Sequence, residues 1–361
     1  MSSIAKYLKQ KGDNVIGYDQ RKSYVTNLLN QDGIKVVHTL DEITYKPESL
    51  FIYSSAIPIE SDRFEDFYDK ENVLSRPEYL NKLSENHKII GITGTHGKTS
   101  TTALLSHIFH FNNVNVSYLY GGITTFNGIG GHYGDPDQPL ILETDEAFNT
   151  FEKIKISDLL VLNVDSDHLD YFKNLDNYKD AFYKVMKNVT DNLVINNDDL
   201  NIKSMKELKN PVSYGKDIAA DFKVQSPGTF IYENNKYEIK SDIIGDHFKA
   251  NMLGAIILAL LNGIEIKDSL NAIESFAGVK RRIELIGISK GVLIYDDYGH
   301  HPTEMEATIT SLKQQTDSKL YVVFQPHRYT RTMEYFNSFK DSLKLADFAI
   351  VTDIYPAGES P

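Results

Sequence analysis

The stretch from His87 to Phe111, HKIIGITGTHGKTSTTALLSHIFHF, constrains this chain more than any other, because it admits one local order of strand, glycine turn and helix. Ile89, Ile90 and Ile92 form an apolar β-type run, Gly94-Thr95-His96-Gly97-Lys98-Thr99 is the turn, and Leu104, Leu105, Ile108 and Phe111 mark one face of the helix. In that order the N–H groups at the helix start face an anion and the glycines let the backbone close around phosphate oxygens. Lys98 adds charge, and the Thr99 hydroxyl is a magnesium ligand. The general phosphate-loop pattern wants glycine at 92, where this chain has Ile92, and Gly94 supplies a shortened turn. Without its flanks, Gly-Lys-Thr is a common turn followed by a threonine cap; the strand and helix on either side favour phosphate. Lys98 is expected to be a solvent-facing turn residue whose removal leaves the fold intact.

With 361 residues, 41% hydrophobic and 24% charged, the chain suits two or three domains of about 100–200 residues each. A formal charge of -12 argues against a nucleic-acid surface while leaving room for a local basic site. The absence of cysteine excludes disulfides and thiolate chemistry and fits the cytoplasm. The first residues, MSSIAKYLKQKGDN, lack the apolar run of a signal peptide, and the longest such run, Met252 to Leu261, is too short to span a bilayer. The expectation is a cytoplasmic protein with neither nucleic acid nor membrane as partner.

Along the chain, a helix over Met1–Lys11, a strand ending at Asp19, and β-type runs at Ile34–Val37 and Leu50–Tyr53 suggest a small parallel α/β domain in the first ~85 residues. The strand that normally precedes such a helix is missing. Ligands in these sheets sit at strand C-terminal ends, where Asp19 and Ser54–Ile57 fall, although a plain loop suits the serines. The middle of the chain adds β-type runs at Val116–Tyr120, Leu140–Glu143 and Leu159–Asn163. There Gly121-Gly122 and Gly130-Gly131 bracket a polar loop that either approaches a ligand or is turn punctuation. A third unit, with runs at Val292–Tyr295, Leu320–Phe324 and Phe348–Thr352, reads as unfinished at Pro361. The fold class is α/β throughout.

Four polar clusters end β-type runs. Glu143-Thr-Asp145-Glu146 and Asn163-Val-Asp165-Ser-Asp167-His168-Leu-Asp170 suit magnesium beside a nucleotide, or else cap helices and solvate loops; imidazole at His168 is less expected for so hard a cation. Asp296-Asp297-Tyr298-Gly299-His300-His301-Pro302-Thr303-Glu304 mixes acids and histidines that cannot all share one ligand, since neighbours on an extended chain point opposite ways. In Phe324-Gln-Pro-His327-Arg328-Tyr-Thr-Arg331-Thr, the arginines face one side if a helix begins there, making a fork for a carboxylate or phosphate. Pairing with acids such as Glu334 is equally open.

Taken together, GTHGKTSTT at 94–102, ETDE at 143–146, NVDSDHLDYF at 163–172, GVKRRIE at 278–284, DDYGHHPTE at 296–304, FQPHRYTRT at 324–332 and DIYPAGE at 353–359 resemble the Mur ligases of bacterial cell-wall synthesis, nearly end to end. The resemblance implies three domains: a Rossmann-like UDP-binding domain over 1–85 lacking its first strand and glycine turn, a central P-loop ATPase domain over 86–283, and an incomplete Rossmann-like domain over 284–361. It implies ATP-dependent joining of L-alanine to the carboxylate of UDP-N-acetylmuramate through an acyl phosphate, with magnesium; a recovered tripeptide as acceptor, or a catalytically impaired fragment, are the alternatives. By the same resemblance Gly94, Thr95, His96, Gly97, Lys98 and Thr99 hold phosphates, and Asn251, Arg282, Asp297 and Tyr298 hold the rest of the nucleotide. Thr99, Glu143 and His168 hold metal, while Lys98, His168, His301, Arg328 and Arg331, with His327, serve the reacting centre and the amino acid. Phe248 stands where many relatives have a second asparagine.

Overall fold

The structure is a computed structural model and describes residues 1–205 and 207–359. Its N-terminal unit comprises α1 (Ser2–Lys11), β1 (Ile16–Tyr18), α2 (Tyr24–Gln31), β2 (Lys35–Val37), β3 (Phe51–Tyr53), β4 (Val73–Ser75) and α3 (Arg76–Ser84). The expected parallel α/β unit takes the form of two separate parallel pairs, β1 with β2 and β3 with β4. Asp19 accepts from its neighbour Arg21 N at 2.9 Å, and Ser54 Oγ accepts from Ala56 N at 3.3 Å, so both close local turns.

The middle unit begins with β5 (Ile89–Thr93), α4 (Lys98–Phe111), β6 (Ser117–Thr124), β7 (Gly128–His132), β8 (Leu140–Glu143) and β9 (Asp158–Val161). It continues through α5 (Leu169–Phe172), α6 (Leu175–Lys187), β10 (Asn192–Asn196), α7 (Leu200–Lys203), β11 (Val212–Gly215), β12 (Phe222–Ser226), β13 (Thr229–Tyr232), β14 (Asn235–Glu238), α8 (Asp246–Leu261) and α9 (Ile266–Glu274). Its ten strands form one sheet in which β5 lies between β8 and β9, parallel to both, with all five residues buried. A strand covered on both faces needs the near-continuous apolar run that Ile89, Ile90 and Ile92 provide.

On α4, Leu104, Leu105 and Ile108 are buried as expected, but Phe111 is 44% exposed and Phe109, four residues after Leu105, takes the inward position. The paired glycines also differ from expectation. They lie within β6 and β7: a Cβ at Gly122 would collide with Val279 and Thr99, and one at Gly131 with the Ser3 carbonyl of α1. Lys6 of α1 is buried there, donating to the carbonyls of Asn127 and Ile129.

The third unit holds the antiparallel pair β15 (Glu284–Ser289) and β16 (Val292–Asp296), then α10 (Pro302–Lys313), β17 (Tyr321–Phe324), α11 (Tyr329–Glu334), α12 (Phe336–Leu343) and β18 (Phe348–Val351), the last strand parallel to β17. Met305, Phe324 and Phe339 form its small core. Among the described residues no helix is long and apolar enough to cross a membrane.

Candidate active site

The chain leaves β5 through Gly94 (φ 141°) and enters α4 through Gly97 (φ 86°), conformations that L side chains rarely adopt. A Cβ on Gly97 would collide with Asn251 Nδ2, and one on Gly94 would stand 3.0 Å from Leu162 and 3.1 Å from the Asn163 backbone. The loop is bonded at its back to the segment after β9. Asn163 Oδ1 accepts from His96 N at 2.8 Å, and Asn163 Nδ2 donates to His96 O at 2.9 Å. Thr95 Oγ1 accepts from Asp165 N at 2.8 Å and lies 3.1 Å from Tyr178 OH, so this hydroxyl braces the loop from inside.

Lys98 is not solvent-facing. Its Nζ curls back to the carbonyls of Gly94 (2.6 Å) and Thr95 (3.1 Å) and meets both carboxylate oxygens of Glu146 at 2.8–2.9 Å, leaving the side chain 13% exposed. Burial disfavours its charge, but the carboxylates of Glu146, Asp145 and Glu143 outweigh burial and hold the ammonium above its ordinary pKa. Its removal would leave Glu146, 1% exposed, without its cation, so the expectation that the fold is indifferent to Lys98 is corrected.

Thr99 Oγ1 donates to Glu143 Oε1 at 2.7 Å, and Gly121 N donates to Oε2 at 2.6 Å. A hydroxyl and a carboxylate at a helix start are the hard oxygen donors that magnesium takes. His168 sits in the left-handed region (φ 53°) with Nε2 3.9 Å from Glu146 Oε1 and 3.8 Å from Asp167 Oδ2. Glu146 thus stands between Lys98 and His168, a role its position three residues past Glu143 did not single out.

On the other side of α4, Asn251 of α8 borders a cleft shared by Phe248, Phe276, Val279 and Arg282. Beyond it Tyr298 has the Arg281 and Arg282 guanidinium carbons 4.9 and 5.3 Å from its ring centroid. Asp297 accepts from Ile283 N at 2.9 Å and Gly299 N at 2.7 Å, tying the linker to β16. Glycines that tolerate no Cβ, an apolar cleft beside them and oxygen donors at Thr99 and Glu143 fit a nucleotide with its magnesium.

The third unit meets the loop directly. His96 lies between Asp165 Oδ2 (3.3 Å from Nε2) and Glu304 Oε1 (3.3 Å from Nδ1). Burial alone would lower its pKa, but hydrogen bonds to Asp165 and Glu304 hold it at about 9, so it is an imidazolium at neutral pH. Burial also opposes the charges of Asp165 and Glu304, yet the His96 contacts keep both well below the usual carboxylate range. His301, 4% exposed, caps α10 by accepting from Thr303 N at Nδ1 (3.4 Å), and its Nε2 has no hydrogen-bond partner. Burial, then the charge of His96, keeps it neutral.

The expected arginine fork does not form. Arg328 precedes α11 in a left-handed conformation (φ 71°), so the three-residue helical spacing does not apply. Its Nε donates to Glu359 Oε1 at 2.6 Å, whereas Arg331, 7% exposed, reaches Asp167 Oδ1 at 3.4 Å. His327 lies beside Tyr355, with ring centroids 5.4 Å apart. Asp165, Asp167 and Glu304 were visible in the sequence as acids within motifs; that Asp165 would meet His96, and that Asp167 and Glu304 would each meet a cation from another unit, was not.

Models of the Mur ligase family match nearly the whole chain: the family's "catalytic domain" over residues 1–88, its middle domain over 92–259 and its "glutamate ligase domain" over 281–361. The UDP-N-acetylmuramate–L-alanine ligase of Caldicellulosiruptor bescii is 36% identical over 99% of this chain and 82% of its own length. That of Dictyoglomus turgidum is 34% identical over 100% and 81%. Among solved structures, the UDP-N-acetylmuramate-alanine ligase of Thermotoga maritima superposes with a TM-score of 0.82 at 26% identity, covering 98% of this chain and 83% of that one. A murein peptide ligase of Psychrobacter arcticus shares the fold, with a TM-score of 0.74 at 23% identity over 97% and 82%.

Proposed function

The chain belongs to the Mur ligase family, and on that premise we propose that it joins L-alanine to the carboxylate of UDP-N-acetylmuramate, with ATP converted to ADP and phosphate, as a step of peptidoglycan synthesis in the cytoplasm. The observation that carries this reading is the meeting of two chemistries at one loop: residues 163–168 support the phosphate loop on one side and receive Thr303, Arg331 and Tyr335 of the third unit on the other, while His301 lies against His96.

In this reading the backbone of Gly94–Thr99 and the Lys98 ammonium hold the phosphates, Asn251, Arg282, Asp297 and Tyr298 hold the nucleoside end, and Thr99, Glu143 and His168 hold magnesium. Bound there, the metal supplies charge neutralisation for phosphoryl transfer. A carboxylate is a poor acyl donor. Once phosphorylated it offers phosphate as leaving group, and the amine nitrogen forms the new C–N bond as the C–O bond to phosphate breaks. Released from the Thr303 N–H that its Nδ1 accepts, the neutral His301 imidazole is suited to take the amine proton, and Arg331 to hold the acceptor carboxylate by exchanging Asp167 for it. Residues 1–85 take the UDP end, 86–283 ATP, and 284–361 the acceptor.

Release of ADP measured with each substrate omitted in turn tests this, with the product identified by mass. Release that needs both UDP-N-acetylmuramate and L-alanine supports the proposal. Turnover with the tripeptide and none with L-alanine would assign the chain to the peptide-recycling reaction instead.

A further inference from the structure

We propose that His96 is a positioning residue that holds the third unit against the phosphate loop and so places the acceptor side beside it; this rests on the ligase reading above. Three contacts join the third unit to residues 165–167: Thr303 Oγ1 donates to Asp165 Oδ2 at 2.7 Å, Tyr335 OH to Ser166 O at 3.0 Å, and Arg331 to Asp167 at 3.4 Å. None of them touches the phosphate loop. His96 does both at once, for its backbone is part of the loop, held by Asn163, while its ring spans Asp165 of the middle unit and Glu304 in the first turn of α10. Glu304 in turn is fixed by the His300 N–H at 3.0 Å and by Arg282, 3.8 Å away, so the α10 start is gathered around this one ring.

The residue type matters. An imidazolium donates from two nitrogens at opposite ends of a rigid ring and so bridges two carboxylates on different units; a lysine reaches one point, and an asparagine carries no charge. His96, Asp165 and His301 also bring three ligand atoms within 4.8 Å of one another. Within this group His96 bonds Asp165, while the His301 ring lies 5.0 Å from the His96 ring with its Nδ1 on Thr303 N–H.

The chain has no cysteine, so Lys187→Cys on α6 and Lys340→Cys on α12, both exposed, give a specific dye pair across the two units. With Mg-ATP and UDP-N-acetylmuramate, the otherwise unsubstituted chain should show one narrow distance, and His96→Asn a longer, broader distribution. In the same variant kcat should fall about tenfold and the L-alanine KM rise about fivefold, while ATP affinity by direct titration changes less than about twofold. Glu304→Gln should reproduce these changes, and the double variant should add less than about twofold to either. An unchanged distance distribution, a parallel loss of ATP affinity, or additive effects in the double variant would overturn the proposal. If no product forms from L-alanine yet the dye pair still opens on His96→Asn, the ligase reading fails while His96 keeps its role.

Discussion

Around Gly94–Thr99 the anion-facing groups belong to a loop whose rear is bonded to Asn163, Asp165 and Glu146, and whose supporting strand β5 is buried at every residue. Around Arg328 and Arg331 the cations are instead engaged by carboxylates of the protein itself, Glu359 and Asp167, on a unit whose β17 and β18 expose Val323 (69%) and Ile350 (57%). In the first region the turn backbone is already held in place, and only the Lys98 ammonium, paired with Glu146, has to turn to phosphate. The second must exchange partners, so an acceptor carboxylate binds by the difference between two ion pairs. Preorganisation on the nucleotide side and exchange on the acceptor side lead to different responses to substitution.

The largest effect is expected at Lys98. Lys98→Ala should lower turnover about a thousandfold and, by leaving Glu146 buried without its cation, cost about 3 kcal/mol of stability. Single-turnover kinetics and denaturant unfolding check the two parts, and loss of turnover at undiminished stability would mean that the loop does not depend on this pair. Next, Glu143→Gln should raise the magnesium concentration for half-maximal activity about thirtyfold, by removing a charged oxygen beside Thr99. A titration in which magnesium dependence does not move would reduce Glu143 to a brace for Gly121.

The acceptor side sharpens the comparison in both directions. Arg331→Lys should raise the L-alanine KM about tenfold with the ATP KM unchanged, since an ammonium lacks the planar fork. Asp167→Asn should lower the L-alanine KM about threefold by weakening the competing partner. If both changes raise it, Asp167 orients Arg331 and does not compete with substrate.

The smallest effect concerns pH. His96 is held at about 9, above the ordinary imidazole value near 6.5, so its stabilisation is fully present below about pH 6.5 and lost as pH rises through about 9. Unfolding at pH 6.5 and 9.5 should differ by on the order of 1 kcal/mol through this group, and His96→Asn should flatten that slope. At the acid end Asp165 and Glu304, held low, lose their contribution as pH falls below the ordinary carboxylate range.

Local chemistry was enough to read the strand, glycine turn and helix around Gly94–Thr99 from the chain alone. A strand, a glycine turn and a helix are neighbours in sequence, and the glycines at 94 and 97 announce backbone conformations that only they adopt easily. Thr99 with Glu143 was legible for a similar reason, since Thr99 opens the helix that follows β5 and Glu143 ends the adjacent parallel strand β8, on the side where such sheets gather ligands. Long-range pairing was not legible. That Lys98 is buried on Glu146, that His96 meets Glu304 across 208 positions of chain, and that Arg328 and Arg331 part company to Glu359 and Asp167 were decided by how the units pack. Hydrophobic period and turn residues act over a few positions and so are written in order along the chain. The partner of a buried charge is whichever opposite charge the packed units bring within reach, and only the tertiary structure specifies that.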